Sequence, residues 1–257
     1  MSVVAAVVLA ASTALLAPAA PAGAGGTRPV ASVSASPARV QLAARGRDAI
    51  VLRNAGTAAV VIEVAPRAVG LDVRGRPFVD RRPASRRSAA RWLTVRPRRL
   101  SLRGGGTGRV ELVARAPIRA EPGDHHALVL VVSRPVHGAR VSVRMRLGVR
   151  VVVQVPGRIV RRLAIRAIHV RRARSGRFLD VAVANLGNVT ESLARRRLTV
   201  TLLARGRVAA RLQAAPRELL PRTGGYATVH YRGRLRGPTV ARVRLHGARS
   251  RSFRIRL

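Results

Sequence analysis

Residues 140–155 alternate apolar and polar side chains with a period of two, and no other pattern in this chain restricts the fold so sharply. Val141, Val143, Met145 and Leu147 point to one face, while Arg140, Ser142, Arg144 and Arg146 point to the other. After Gly148 the series Val149, Val151, Val153 and Val155 continues the inward face, enough core for a strand pair. Such alternation belongs to antiparallel sheet with one face buried. The same signal recurs in short runs broken by Gly, Pro or Asn, which predicts strands over 49–53, 59–65, 92–95, 109–115 and 127–132. Asn54-Ala55-Gly56 supplies a turn between the first two of these. Gly104-Gly105-Gly106 reads as a hairpin turn, so residues 92–132 form one hairpin-like run led by Trp92.

Pro156-Gly157 interrupts the pattern and marks a boundary. Beyond it strands are expected over 178–184, 198–202, 227–231, 239–245 and 253–257, with a turn at Asn185-Leu186-Gly187-Asn188 and a helical turn over 190–197. Residues 74–90 read as a long, exposed, Arg-rich loop. The chain is therefore expected to be all-β, with two immunoglobulin-like antiparallel β-sandwich domains in tandem, over 30–156 and 158–257. Hydrophobic residues make up 47% of it and aromatics 2%, so the cores are to be built from Val, Leu and Ala.

The chain holds 50 basic residues, all arginine, against 10 acidic ones, a formal net charge of +40. Codon bias accounts for arginine in place of lysine. It does not account for the scarcity of acids, because GC-rich codons exist for Asp and Glu. A charge far above the roughly 2 to 8 units usual for a small domain draws polyanions. The location of the protein decides which. Residues 1–16 form an uninterrupted weakly polar run, followed by Pro18, Pro21 and a small-residue site at Ala22-Gly23-Ala24. Residues 1–24 thus read as a signal peptide, cleaved near Gly25, or as an N-terminal anchor. An exported chain would meet anionic wall polymers or a membrane surface, and nucleic acid is not expected. There is no cysteine, hence no disulfide or thiol chemistry.

No constellation for catalysis is read. Glu121, Asp124, His125 and His126 form the one cluster with acid–base potential, but adjacent histidines in a strand face opposite ways, so Asp124 is taken to bond its own turn while the histidines open a strand. His137, His169, His230 and His246 stand alone. The acids are too scattered to mark a glycosidase pair, and no nucleophile-elbow spacing occurs. Gly104-Gly105-Gly106 lacks the Gly-Lys-Ser/Thr end of a phosphate loop. No cofactor or metal is expected. Trp92 is read as a core anchor, with a sugar-stacking platform beside Arg91 and Arg96 as the alternative. The densest basic segment, Arg81, Arg82, Arg86, Arg87 and Arg91, is with Trp92 and Arg96 the candidate polyanion site, because guanidinium groups bind carboxylate and phosphate bidentately.

Trp92-Leu93-Thr94-Val95, Pro97, Leu100-Ser101-Leu102, the Gly-rich turn 104–108, the strand 110–114 and Ala120-Glu121-Pro122-Gly123-Asp124-His125 resemble the N-terminal domain of the WxL-interacting surface proteins of Gram-positive bacteria. Asn185-Leu186-Gly187-Asn188 and Leu219-Leu220-Pro221 resemble their second β-sandwich domain, and the strand pattern is similar to periplasmic pilus chaperones of the PapD type. The first resemblance implies a non-enzymatic surface protein that binds peptidoglycan or another anionic wall polymer and bridges it to another surface protein. Members of that family end in a membrane helix with a basic tail, a pattern not read in this sequence. The second resemblance implies an assembly chaperone for exported subunits. A nucleic-acid-binding protein is the third reading; the charge supports it and the export signal opposes it.

Overall fold

The computed structural model describes residues 32–80, 84–135, 144–193 and 196–257. The segment 1–24 expected to direct export, Arg81, Arg82, His137, Val141 and Val143 lie outside the described residues. In chain order the first half carries β1 (Val33–Ser36), β2 (Arg39–Ala43), β3 (Arg47–Asn54), β4 (Val60–Arg67), β5 (Val69–Leu71), β6 (Pro77–Val79), β7 (Leu93–Arg96), β8 (Arg99–Leu102), β9 (Thr107–Ala114), β10 (Gly123–Pro135) and β11 (Arg146–Val155). The second carries β12 (Leu163–Ala173), β13 (Gly176–Asn185), β14 (Glu191–Leu193), β15 (Leu198–Ala204), β16 (Arg207–Gln213), β17 (Arg217–Leu219), β18 (Gly224–Tyr231), β19 (Pro238–Leu245) and β20 (Arg251–Arg256).

These strands build two sandwiches with separate hydrophobic cores. In the first, the sheet β1-β3-β9-β7 packs against β2-β11-β10-β4-β8. Alternate residues such as Ile50, Leu52, Val110 and Leu112 from one sheet meet Ile62, Val64, Val129 and Val151 from the other. Each such side chain, withdrawn from water, contributes roughly 1.5–3 kcal/mol. In the second, β12-β13-β18 faces β16-β15-β19-β20, and β14 pairs with β17 along one side. Leu179, Val181, Val200, Leu202, Val229 and Val243 fill that core. All pairings are antiparallel except β2 with β11, which is parallel. No helix of the described residues is long and apolar enough to cross a membrane.

Several local expectations are corrected. The run from Trp92 is not a hairpin: β7 pairs β9, β8 pairs β4, and the chain changes sheet at Pro97, at the Gly-rich turn and again before β10. Asn54-Ala55-Gly56 likewise carries the chain from one sheet to the other. Period-two alternation fixes which side of a strand is buried, and a sheet-crossing corner has the same turn chemistry as a hairpin. Both cis peptides, Ser36-Pro37 and Arg96-Pro97, sit at such crossings. Trp92 does not open a strand but closes a 3-10 turn over Ala89–Arg91, donating its N–H to Ala89 O at 2.9 Å. Residues 74–90 are not one loop: Pro77–Val79 pairs with β5, and Ala89 is fully buried. The helical turn expected over 190–197 is replaced at Glu191–Leu193 by the strand β14.

Candidate interdomain cleft

The structure separates the residues of the candidate basic site. Arg86 and Arg87 lie in the segment leading to the 3-10 turn, where Ser88 Oγ accepts the Ala90 N–H. Trp92, 8% exposed, is part of the first core, and its ring stands 4.5 Å from that of His125. Arg91 is exposed at the end of the turn. Arg96 is carried to the outer side of the β1-β3-β9-β7 sheet, paired in register with Glu111 and beside Arg47, Asp48 and Arg109. Arg87 and Arg96 therefore serve two surfaces.

Arg87 instead belongs to a cleft of about 360 Å³ between the sandwiches, whose walls include Val69, Ser85, Glu121, His126, Leu220 and Thr223. His125, buried in its wall, spans two segments: Nδ1 is 2.8 Å from the Arg87 carbonyl oxygen and Nε2 is 2.7 Å from that of Glu121. The Glu121 carboxylate takes Arg87 Nε at 2.9 Å and, from the second sandwich, Arg222 Nη2 at 3.3 Å. The Arg87 charge is thus already partnered within the chain, which weakens it as a free polyanion contact.

Asp124 does not bond its own turn as expected. Its Oδ2 accepts the Thr190 N–H at 2.8 Å, and its own N–H donates to Asn188 O at 2.9 Å. Burial pushes the Asp124 carboxyl up, but the Thr190 N–H and hydroxyl with the Gln154 amide outweigh it and hold the group below the usual carboxylate range. His126, on the opposite face of β10 from His125 as its neighbour position requires, has Nε2 2.8 Å from Thr190 Oγ. Burial drives its pKa down to about 4 against the opposing pull of Asp124. Asn188 ties the junction: its amide donates to Pro122 O and Arg158 O, each at 2.8 Å, while its oxygen accepts the Val160 N–H at 2.7 Å. Close approach is possible here because residue 123 is glycine. A Cβ on it would lie 2.0 Å from Asn188 O, and its φ is +117°.

A second junction centres on Glu218, which receives Arg39 Nη1 at 3.0 Å and Arg150 Nη1 at 2.6 Å. The Arg150 hydrogen bond is the main cause that lowers its pKa below the ordinary glutamate value. A third is the β5–β6 hairpin, whose Val73 carbonyl accepts the Tyr226 N–H and Arg217 Nη1, both at 2.8 Å. Sequence reasoning missed Arg39, Arg150, Glu218 and Arg222 as partners, since their pairing joins residues up to 179 positions apart. The Gly123 and Asn188 turns were visible, though not the fact that they dock together. Among the described residues no group of three or more His, Asp or Glu is disposed to hold a metal ion.

No family model matches the chain, and no curated protein matches it. Solved structures of similar arrangement exist. A complex of the Salmonella enterica SafA pilin with the SafB chaperone matches at 11% identity over 90% of this chain and 99% of that one, with a TM-score of 0.46. The CsuC-CsuE chaperone–tip subunit complex of Acinetobacter baumannii matches at 12% identity over 87% and 98%, with a TM-score of 0.46. The E. coli chaperone DraB matches at 13% identity over 88% and 99%, with a TM-score of 0.43. These are likenesses of strand arrangement.

Proposed function

We propose that the protein is a non-enzymatic exported binding protein that holds extended polypeptide by adding it as a strand to β11, as an assembly chaperone for exported subunits would. One observation carries this reading. β10 flanks β11 along its whole length, but on the other side β2 covers only Arg150–Gln154, so that the edge at Arg146, Leu147, Gly148 and Val149 has no strand paired with it among the described residues. An unpaired row of N–H and C=O groups is a template for a further strand. A segment laid there would continue the line of β2. The apolar N-terminal run, read from sequence, supports export.

The test is amide hydrogen exchange of the full chain with and without synthetic peptides that alternate apolar and polar residues. Protection at residues 146–149, absent with peptides N-methylated along the ladder-forming side, is the expected result. Unchanged exchange with every peptide, or equal protection by the methylated ones, rejects strand addition.

A second reading, binding of peptidoglycan or another anionic wall polymer, is favoured by Arg96, Arg47 and Arg109 on one outer sheet face, where they outnumber Asp48 and Glu111. Sedimentation with purified cell walls at several salt concentrations tests it. Wall binding that survives physiological salt and is lost in an Arg47→Gln/Arg96→Gln protein supports this reading.

A further inference from the structure

The outer side of the β16-β15-β19-β20 sheet has no acidic residue. Register places Arg211, Thr201, Arg242 and Ser252 in one row across the four strands, and Gln213, Thr199 and Arg244 in the row beside it. On the other side Val208, Leu203, Val240 and Arg254 form a third row, and Arg256 lies beyond. The five arginines are exposed, and none forms an ion pair among the described residues. The acids of this sandwich lie elsewhere: Asp180 on β13 pairs with Arg171, Glu191 is buried, and Glu218 faces the first sandwich.

We propose that this face docks the protein on the surface of an anionic lipid bilayer. Two features point to a plane rather than to a linear polyanion. Strands about 4.8 Å apart and same-face residues about 6.8 Å apart spread the guanidinium groups in two dimensions. The aliphatic row is exposed within that array, Val208 at 53% and Val240 at 36%, where a polymer contact would leave it wet. At a bilayer these side chains enter the headgroup boundary while the arginines on either side meet lipid phosphates. The site is on the sandwich that does not carry β11, so it stands or falls independently of strand addition.

The experiment is co-sedimentation of the full chain with vesicles of phosphatidylcholine, with and without phosphatidylglycerol. Binding should require phosphatidylglycerol. Arg242→Gln/Arg244→Gln should weaken it by roughly 25-fold, about fivefold for each basic side chain removed from an anionic surface. Val240→Ser should weaken it too. Arg53→Gln/Arg103→Gln, an equal charge change at exposed positions of the other sandwich, should leave it within about twofold. Three results overturn the proposal: no binding to phosphatidylglycerol vesicles, equal loss in the two double variants, or soluble polyphosphate binding through Arg242 and Arg244 when vesicles do not bind.

Discussion

Asn54 and Asn185 are one device used in both sandwiches. Each is fully buried at the end of a strand, β3 or β13, and each is followed two residues later by a glycine whose N–H its Oδ1 accepts, at 3.1 Å for Gly56 and 2.9 Å for Gly187. Each Nδ2 then donates to the carbonyl four residues on, Ala58 or Val189, and to two successive carbonyls of a distant segment, Leu102 and Arg103 or Leu219 and Leu220. The corner after the strand is thereby fastened to the neighbouring corner. Asn→Ala at either site strands buried carbonyls without a donor, and a loss of about 2–4 kcal/mol is expected. Chemical denaturation measures it. A loss below about 0.5 kcal/mol would mean that backbone bonds alone hold the corner.

Gly123 and Asn188 make the corresponding prediction for the junction between sandwiches. Gly123→Ala places a methyl group against Asn188 O and adds the cost of a positive φ. Asn188→Ala removes the bonds to Pro122, Arg158 and Val160 while leaving the backbone conformation permissible. Both should speed proteolysis within residues 156–162 and enlarge the radius of gyration in solution scattering, with each sandwich still folded. An unchanged cleavage rate in both proteins would refute the docking role.

The two cores were legible because burial in a sheet leaves a period-two trace: Val149, Val151, Val153 and Val155 read inward, and all four are buried. Pairing was not legible. The strands 93–96 and 99–102 are separated by two residues, as in a hairpin, yet they join opposite sheets, because partner choice depends on non-local packing that leaves no local mark. For the same reason the clustering of arginines along the chain misled. Arg87 and Arg96 are nine positions apart but serve different surfaces, whereas Arg211, Arg242 and Arg254 come from three strands to share one face. Charge counted along a chain becomes a site only after register is known.

The Glu218 junction should weaken in acid. Its carboxyl has a lower pKa in the folded chain than the ordinary 4.5, first because of the Arg150 hydrogen bond and then because of the Arg150 and Arg39 charges. A group whose folded pKa is depressed contributes stability that is complete above its unfolded pKa and is lost as pH falls through the folded one. The loss therefore belongs below about pH 4.5. Glu218→Gln should lower stability at neutral pH and flatten the acid limb of the unfolding profile. An acid limb as steep in the variant as in the parent protein would place the pH dependence elsewhere.

His126 acts in a different and higher window. Burial lowers its pKa from 6.5 to about 4, against Asp124, which raises it, while Arg150 and Arg39 lower it further and Glu218 raises it slightly. The folded chain thus favours the neutral ring, and the unfolded chain takes up the proton first. Stability is complete above about pH 6.5, declines as pH falls, and stops declining once the folded ring also titrates near pH 4. His126→Gln keeps an amide within reach of Thr190 and removes the titration. Unfolding free energies from pH 8 to pH 4 should slope downward below about pH 6.5 in the parent protein and lie flatter in the variant over the same interval. Parallel profiles would assign the slope to a group other than His126.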